Sequence, residues 1–231
     1  VKNPNFDNLY YAPRDIADKI NSWLDGKLFL YNNNYKNRWK QLFSDIKELV
    51  EKQDCKLIVL DNLMALNISD FDGAKNEQQS QFINEIKEYA KQNNIHVLLV
   101  CHPRKQDGFL RKESISGTAD LTNLCDNLFI LHRVGRDFHS RAVEFLGEAE
   151  VQRLLKFDTV VEVNKNRMLG VQDYFVGMYY ESESRRLKNE ISEHIIYGWE
   201  EHPKQTSAFT KNAYGFSKDP LESPDFFTQR K

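Results

Sequence analysis

Two short apolar runs stand out along the chain, and each ends on a polar residue. Residues 57–60 read Leu-Ile-Val-Leu and stop at Asp61; residues 95–101, Ile-His-Val-Leu-Leu-Val-Cys, stop at His102. Unbroken branched-apolar runs of about four to eight residues suit strands buried on both faces of a parallel sheet. Between them, residues 77–94 place Phe82, Ile83, Ile86, Tyr89 and Ala90 at helical spacing. The pattern predicts a strand, helix, strand unit. In such a unit the ligand crevice lies beyond the carboxyl ends of the strands, where Asp61 and His102 both project.

The same reading places the other elements. Ile16, Ile20 and Leu24 predict a helix over Arg14–Leu24, ended by Asp25-Gly26, and residues 27–31 read as a short strand. Residues 37–53 form an amphipathic helix with Trp39, Leu42, Phe43, Ile46, Leu49 and Val50 on one stripe. Residues 67–76 are a polar loop, and a longer loop runs from His102 to about Ser116. A short helix is expected over 120–125 and a buried strand over 127–131. One long helix over 136–156 carries Val143, Phe145, Leu146, Ala149 and Leu154 on its apolar side. Residues 159–163 and 174–180 read as antiparallel strands around a turn. Beyond Trp199 the chain is polar and holds Pro203, Pro220 and Pro224, which predicts an extended tail over 201–231.

A chain of 231 residues is long enough for one full hydrophobic core. Its net charge of −2 sets up no global field for nucleic acid, so any such contact must come from a local patch. The loop after His102 is one, with Arg104, Lys105, Arg111 and Lys112 against Asp107 and Glu113. Three cysteines, Cys55, Cys101 and Cys125, are an odd and scattered set. They fit neither a disulfide framework nor a zinc site, and point to a reducing cytoplasm. No apolar stretch approaches the ~20 residues of a membrane span, so no membrane partner is expected. The chain opens Val1-Lys2-Asn3-Pro4 without an initiator methionine, and a piece of something longer is expected.

An Asp closing an apolar strand is the pattern of the carboxylate that holds magnesium between nucleotide phosphates; it is also the pattern of an ordinary strand-end carboxylate. His102 can donate a hydrogen bond to a γ-phosphate, or simply end its strand. The phosphate-cradling G-x-x-x-x-G-K-[ST] is absent: at Gly26-Lys27 the next residue is Leu28, and Asn21 stands where the earlier glycine belongs. Either no phosphate chemistry occurs, or the loop lies upstream of residue 1.

Four further stretches follow in order: His102-Pro103-Arg104-Lys105-Gln106-Asp107; Ser114-Ile115-Ser116-Gly117-Thr118-Ala119; Cys125-Asp126-Asn127-Leu128-Phe129-Ile130-Leu131; and Val163-Asn164-Lys165-Asn166-Arg167. With Leu60-Asp61-Asn62-Leu63, they resemble the motor domain of DnaB-type replicative helicases, in the Twinkle and phage primase-helicase branch, over about residues 40–190. The resemblance implies a RecA-like α/β domain over 1–200, mainly a parallel sheet flanked by helices on both faces, with an antiparallel hairpin near its end. It implies an ATP- or other NTP-hydrolysing enzyme that assembles as a homo-oligomeric, hexameric ring, moves 5′ to 3′ on single-stranded DNA, and has a primase domain or partner nearby. Its setting would be the cytoplasm of a bacterium or of a phage's host.

By the same likeness Asp61 is the Mg2+-associated carboxylate and His102 the sensor joining γ-phosphate to the DNA loop. Arg167 is the arginine finger offered to the neighbouring subunit, with Lys165 its companion, because charge developing on phosphoryl oxygens calls for a fixed cation. The bland reading of Lys165 and Arg167 is a solvated hairpin turn. Residues 103–117 match the DNA loop, with Arg104, Lys105, Arg111 and Lys112 facing phosphates and Gly117 allowing close approach. Basic residues frequent in the family between Gly117 and Asp126 are replaced here by Asp120, Thr122 and Asn123. The 136–156 helix is an insertion relative to the family minimum. The strand bearing the family's catalytic glutamate is missing with the phosphate loop, so the 231 residues alone are expected to be inactive. Two rivals remain: a RecA-like ATPase of another kind, such as a recombinase or clock-type protein, and a non-catalytic scaffold or DNA-binding module.

Overall fold

The computed structural model describes residues 10–32, 38–104, 108–117 and 119–200. The chain divides after Glu193. The first unit is an α/β arrangement consistent with a RecA-like fold, and its elements run α1 (Arg14–Leu24), α2 (Trp39–Gln53), β1 (Leu57–Leu60), α3 (Lys75–Asn93), β2 (His96–Leu99), α4 (Asp120–Leu124), β3 (Asn127–Arg133), α5 (Phe138–Leu146), α6 (Glu148–Leu154), β4 (Thr159–Asn166), β5 (Tyr174–Glu181) and β6 (Arg186–Lys188). In the second unit the rings of Tyr197 and Trp199 stack at 4.3 Å. The tail expected over 201–231 lies outside the described residues.

β1 and β2 pair in parallel, Leu57 opposite His96 through Leu60 opposite Leu99. Ile58 and Leu60 turn one way, into a core built with Trp39, Phe43, Ile46 and Val50 of α2 and Phe82, Ile83, Ile86 and Tyr89 of α3. Trp39 anchors it: its ring stacks on Phe43 at 4.9 Å and meets Phe82 edge-on at 4.6 Å, while Nε1 donates to Glu85 at 2.5 Å. The other face is open. Leu57, Val59 and Leu98 are exposed there, although an all-apolar run is expected to be covered on both sides. The helices expected on two faces thus cover one face among the described residues.

The remaining strands form an antiparallel sheet in the order β3-β4-β5-β6, larger than the hairpin expected from the pattern. β3 belongs to it, pairing with β4 from Arg133 opposite Thr159 to Asn127 opposite Asn166. It is buried on one face only, since Ile130 and His132 face inward while Phe129 and Leu131 are exposed. A second core of Phe109, Phe138, Ala142, Val151, Leu154, Val160 and Phe175 lies on this sheet.

Two expectations are corrected. Residues 27–31 form no strand: Lys27 and Leu28 donate their N–H groups back to Leu24, and the segment continues without a ladder. The long helix over 136–156 is two, broken at Gly147, whose φ of 76° belongs to the left-handed region that favours glycine. The break rephases the apolar stripe, so Phe138, Ala142, Val151 and Leu154 are buried while Phe145 and Ala149 are exposed.

The β5–β6 turn is an electrostatic clasp. Glu181 accepts from the Ser184 hydroxyl, from Arg186 at 2.6 Å and from Lys188 at 3.2 Å. These bonds, the Ser184 hydroxyl first, hold its carboxyl down from its ordinary 4.5 to about 2. A depressed carboxylate stabilises the fold above its unfolded value, and that contribution disappears as pH falls through the folded one. Hydrogen exchange of the Tyr180 and Leu187 amides should therefore quicken as pH falls from about 4.5 toward 2, after correction for intrinsic rates. Glu181→Gln should remove that pH dependence; an unchanged profile would exclude the clasp.

Candidate functional site

β1 and β2 end side by side, because Val100 N–H donates to Leu60 O at 2.9 Å and Leu63 N–H to Val100 O at 3.0 Å. Asp61 leaves β1 there, exposed, and no ion pair among the described residues engages its carboxylate. The next residue turns the chain: the Asn62 Oδ1 caps a 3-10 turn over Leu63–Ala65 by accepting from the N–H groups of Met64 at 2.9 Å and Ala65 at 3.2 Å. Its other side-chain atom, Nδ2, lies 2.9 Å from Nε2 of His102. The two strand ends chosen from the apolar pattern are thus joined through a residue the pattern did not single out. Its capping position after the strand was the available signal.

His102 also forms the base of the loop. Its carbonyl accepts from Ser116 N–H at 3.1 Å, and Arg104 N–H donates to Ser114 O at 2.6 Å, so the loop leaves and returns as an antiparallel pair. Arg104 is exposed, with its guanidinium on Gly117 O at 3.0 Å. Lys112 is exposed beside Glu113. Arg111 is committed elsewhere, 3.6 Å from Asp173 and over the Phe145 ring. Lys105 lies outside the described residues. Gly117 has φ +130°, and an added Cβ would sit 2.4 Å from Leu121 Cδ1 and 3.0 Å from the buried Gln79 Oε1, so a side chain is excluded there.

Phe109 anchors this loop to the second core. It is 5% exposed and stacks face to face on His132 at 4.2 Å. His132 is itself held at 2.8 Å by Glu162, whose other oxygen accepts from Asn164 at 2.7 Å. A buried carboxylate survives only with such partners. Phe109, His132 and Glu162 carry no local sequence signal because their pairing spans three separate segments.

Lys165 and Arg167, at the end of β4 and just beyond it, lie against the last turn of α4. Lys165 Nζ donates to the carbonyls of Thr122 and Asn123, both at 2.9 Å. Arg167 donates to Asn123 O at 2.9 Å and to Asp126 at 3.1 Å, and Lys87 also reaches Leu124 O. Three cations thus meet the carbonyls of a helix C-terminus, which favours positive charge. Arg167 remains about half exposed. No hydrogen bond or ion pair joins this group to Asp61 or His102 among the described residues.

Nearby, Cys101 and Cys125 are free thiols. Burial pushes Cys101 up to about 11, with Cys125 adding to the effect, and burial raises Cys125 as well. Neither thiol is activated. Among the described residues no cluster of His, Cys, Asp and Glu is arranged to hold a metal alone, and no helix is long and apolar enough to cross a membrane. Magnesium has no need of such a cluster, since it commonly takes one or two protein carboxylates and completes its shell with water and substrate phosphates. The exposed Asp61 fits that role.

Comparison with known proteins adds one family and a set of structures. No curated protein matches the chain. Sixty-seven solved chains are similar, among them the ATPase domain of a DnaB-like helicase, at 15% identity and a TM-score of 0.49. That match covers 67% of this chain and 52% of the other, so the chain spans about half of its length. Residues 17–108 match the model of a family described as an AAA domain, a stretch that holds Asp61, Asn62, His102 and Arg104. Over those residues the chain is similar to the AAA-domain family.

Proposed function

We propose that this chain is the C-terminal part of a ring-shaped DNA helicase motor, in which NTP hydrolysis drives 5′ to 3′ movement on single-stranded DNA. The observation that carries the reading is the junction of the parallel strand ends. An exposed Asp61 stands beside Asn62, Asn62 holds His102, and His102 closes a loop whose Arg104 is exposed. Bound nucleotide on one side and DNA on the other would share that junction. Asp61 would give magnesium its protein carboxylate, and the ion would neutralise phosphate charge when bound. Lys165 and Arg167 would serve the nucleotide of the next subunit, which agrees with their separation from Asp61. The phosphate loop belongs, in this reading, to an upstream segment, and the open face at Leu57, Val59 and Leu98 is where a sheet of this type takes further cover.

The deciding experiment uses the parent polypeptide, if its upstream sequence holds G-x-x-x-x-G-K-[ST]. It should hydrolyse ATP faster with single-stranded DNA and unwind a duplex carrying a 5′ tail in preference to a 3′ tail. Hydrolysis without unwinding would assign another RecA-like ATPase role, and a parent with no phosphate loop would leave a non-catalytic module. The 231-residue chain should neither hydrolyse ATP nor bind it tightly, because the missing loop supplies most phosphate contacts. Micromolar, magnesium-dependent binding in equilibrium dialysis would contradict this.

Single-stranded DNA binding by the chain should be weak and salt-dependent. Neutralising Arg104 and Lys105 should lower the slope of log affinity against log salt by about 0.7 for each phosphate that is no longer paired with a cation. An unchanged slope would remove the loop from the DNA path.

A further inference from the structure

We propose that Asn62 is a positioning residue that holds neutral His102 in the tautomer with its proton on Nδ1. The side-chain amide of Asn62 has only one orientation compatible with its neighbours. The N–H groups of Met64 and Ala65, at 2.9 and 3.2 Å, both point at one of its atoms, which must be the oxygen because an NH2 group there would face two donors. The NH2 group is thereby turned toward His102 Nε2, 2.9 Å away. An amide nitrogen only donates, so Nε2 must accept, and in a neutral imidazole the proton then sits on Nδ1.

Histidine free in water favours the opposite form, with the proton on Nε2. The contact therefore selects the less common tautomer and leaves Nδ1–H as the ring's donor. This bears on the proposed sensor role of His102, on which the functional half of the inference rests. Nδ1–H is the group available to an acceptor such as a phosphate oxygen, while Nε2 ties the ring to the turn that follows Asp61. Any rotation of the ring toward a ligand must break or carry that tie.

Asn62→Asp isolates the effect. A carboxylate caps the Met64 and Ala65 N–H groups as well as the amide does, so the turn persists, but it cannot donate to Nε2. The experiment is nitrogen NMR of the imidazoles in the 231-residue chain at about pH 9, above the ordinary histidine range of about 6.5. The wild-type His102 should show a pyrrole-type signal at Nδ1 and a pyridine-type signal at Nε2. In Asn62→Asp, Nε2 should gain a proton, as the reversed tautomer or as the imidazolium. A wild-type ring protonated chiefly on Nε2 overturns the proposal even if the variant fails to fold. A variant that keeps Nδ1–H with a bare Nε2 overturns it too.

In the intact polypeptide, Asn62→Asp and His102→Ala should each lower DNA-stimulated hydrolysis at least tenfold. The double variant should be no worse than His102→Ala alone, because residues acting through one contact are non-additive. Normal hydrolysis by both single variants, with the tautomer as expected, overturns the positioning role and the sensor reading together while the tautomer assignment stands. Multiplying effects in the double variant would separate Asn62 from His102 and overturn the positioning role alone.

Discussion

Arg167→Ala in the intact polypeptide should cut NTP hydrolysis by about 10³-fold or more while leaving nucleotide binding nearly unchanged, the behaviour of a cation that serves the transition state of the neighbouring subunit. In the single chain the guanidinium rests on Asn123 O and Asp126 and is about half exposed, so its reach is intact. Asp61→Asn should instead disable the site of its own subunit. The two defects lie on opposite sides of each interface. A junction that takes Arg167 from the Asp61→Asn subunit and Asp61 from the Arg167→Ala subunit contains both groups, and mixing the two inactive proteins should restore partial activity. Where ring catalysis needs every site in sequence the rescue is small in steady state, so single-turnover hydrolysis is the measurement of choice. Normal hydrolysis by Arg167→Ala with DNA present would make the hairpin ordinary surface, with its cations serving only the α4 carbonyls.

Phe109→Ala should remove about 3–5 kcal/mol of stability, the usual effect when a buried phenylalanine is truncated without collapse of its site. The ring is 5% exposed, stacks on His132 at 4.2 Å and lies within 6.3 Å of the Phe138, Phe145 and Phe175 rings, so its removal leaves a gap above the buried His132 and Glu162. A change of that size is a large share of the ~5–15 kcal/mol that holds a domain together. Phe109→Leu should cost much less and still release the stacking. Chemical denaturation measures the first effect, and protease cleavage of the 103–117 loop under native conditions measures the second. If the alanine variant denatures like the wild type, Phe109 is not an anchor and the loop is independent of the antiparallel sheet.

Elements that depend on neighbours along the chain were legible in the residues themselves. The apolar runs before Asp61 and His102 predict the two parallel strands, and the stripes from Trp39 to Val50 and from Phe82 to Tyr89 predict the helices that cover them. The cysteines, widely spaced, are free. Where the pattern misled, the missing information was not local. Residues 27–31 have strand composition but no partner, and a strand is defined by its ladder. The helix over 136–156 has a continuous apolar stripe on paper, yet Gly147 resets its phase and exposes Phe145. The apolar run of β3 leaves its pairing open, and the residues after it decided that it lies antiparallel to β4.

The same division holds at the site. Sequence by itself determined which residue types end the strands, Asp61 and His102, and that the following loop is basic, because periodicity of 2 or 3.6 is a property of adjacent residues. Only the tertiary structure decided what those groups touch. It set Asn62 between the two strand ends across 40 residues, committed Arg111 to Asp173, seated Phe109 on a buried histidine, and laid Lys165 and Arg167 on the end of α4. Each of these contacts joins segments far apart in the chain. Their geometry follows from how two cores close around different sheets, and no local pattern carries it.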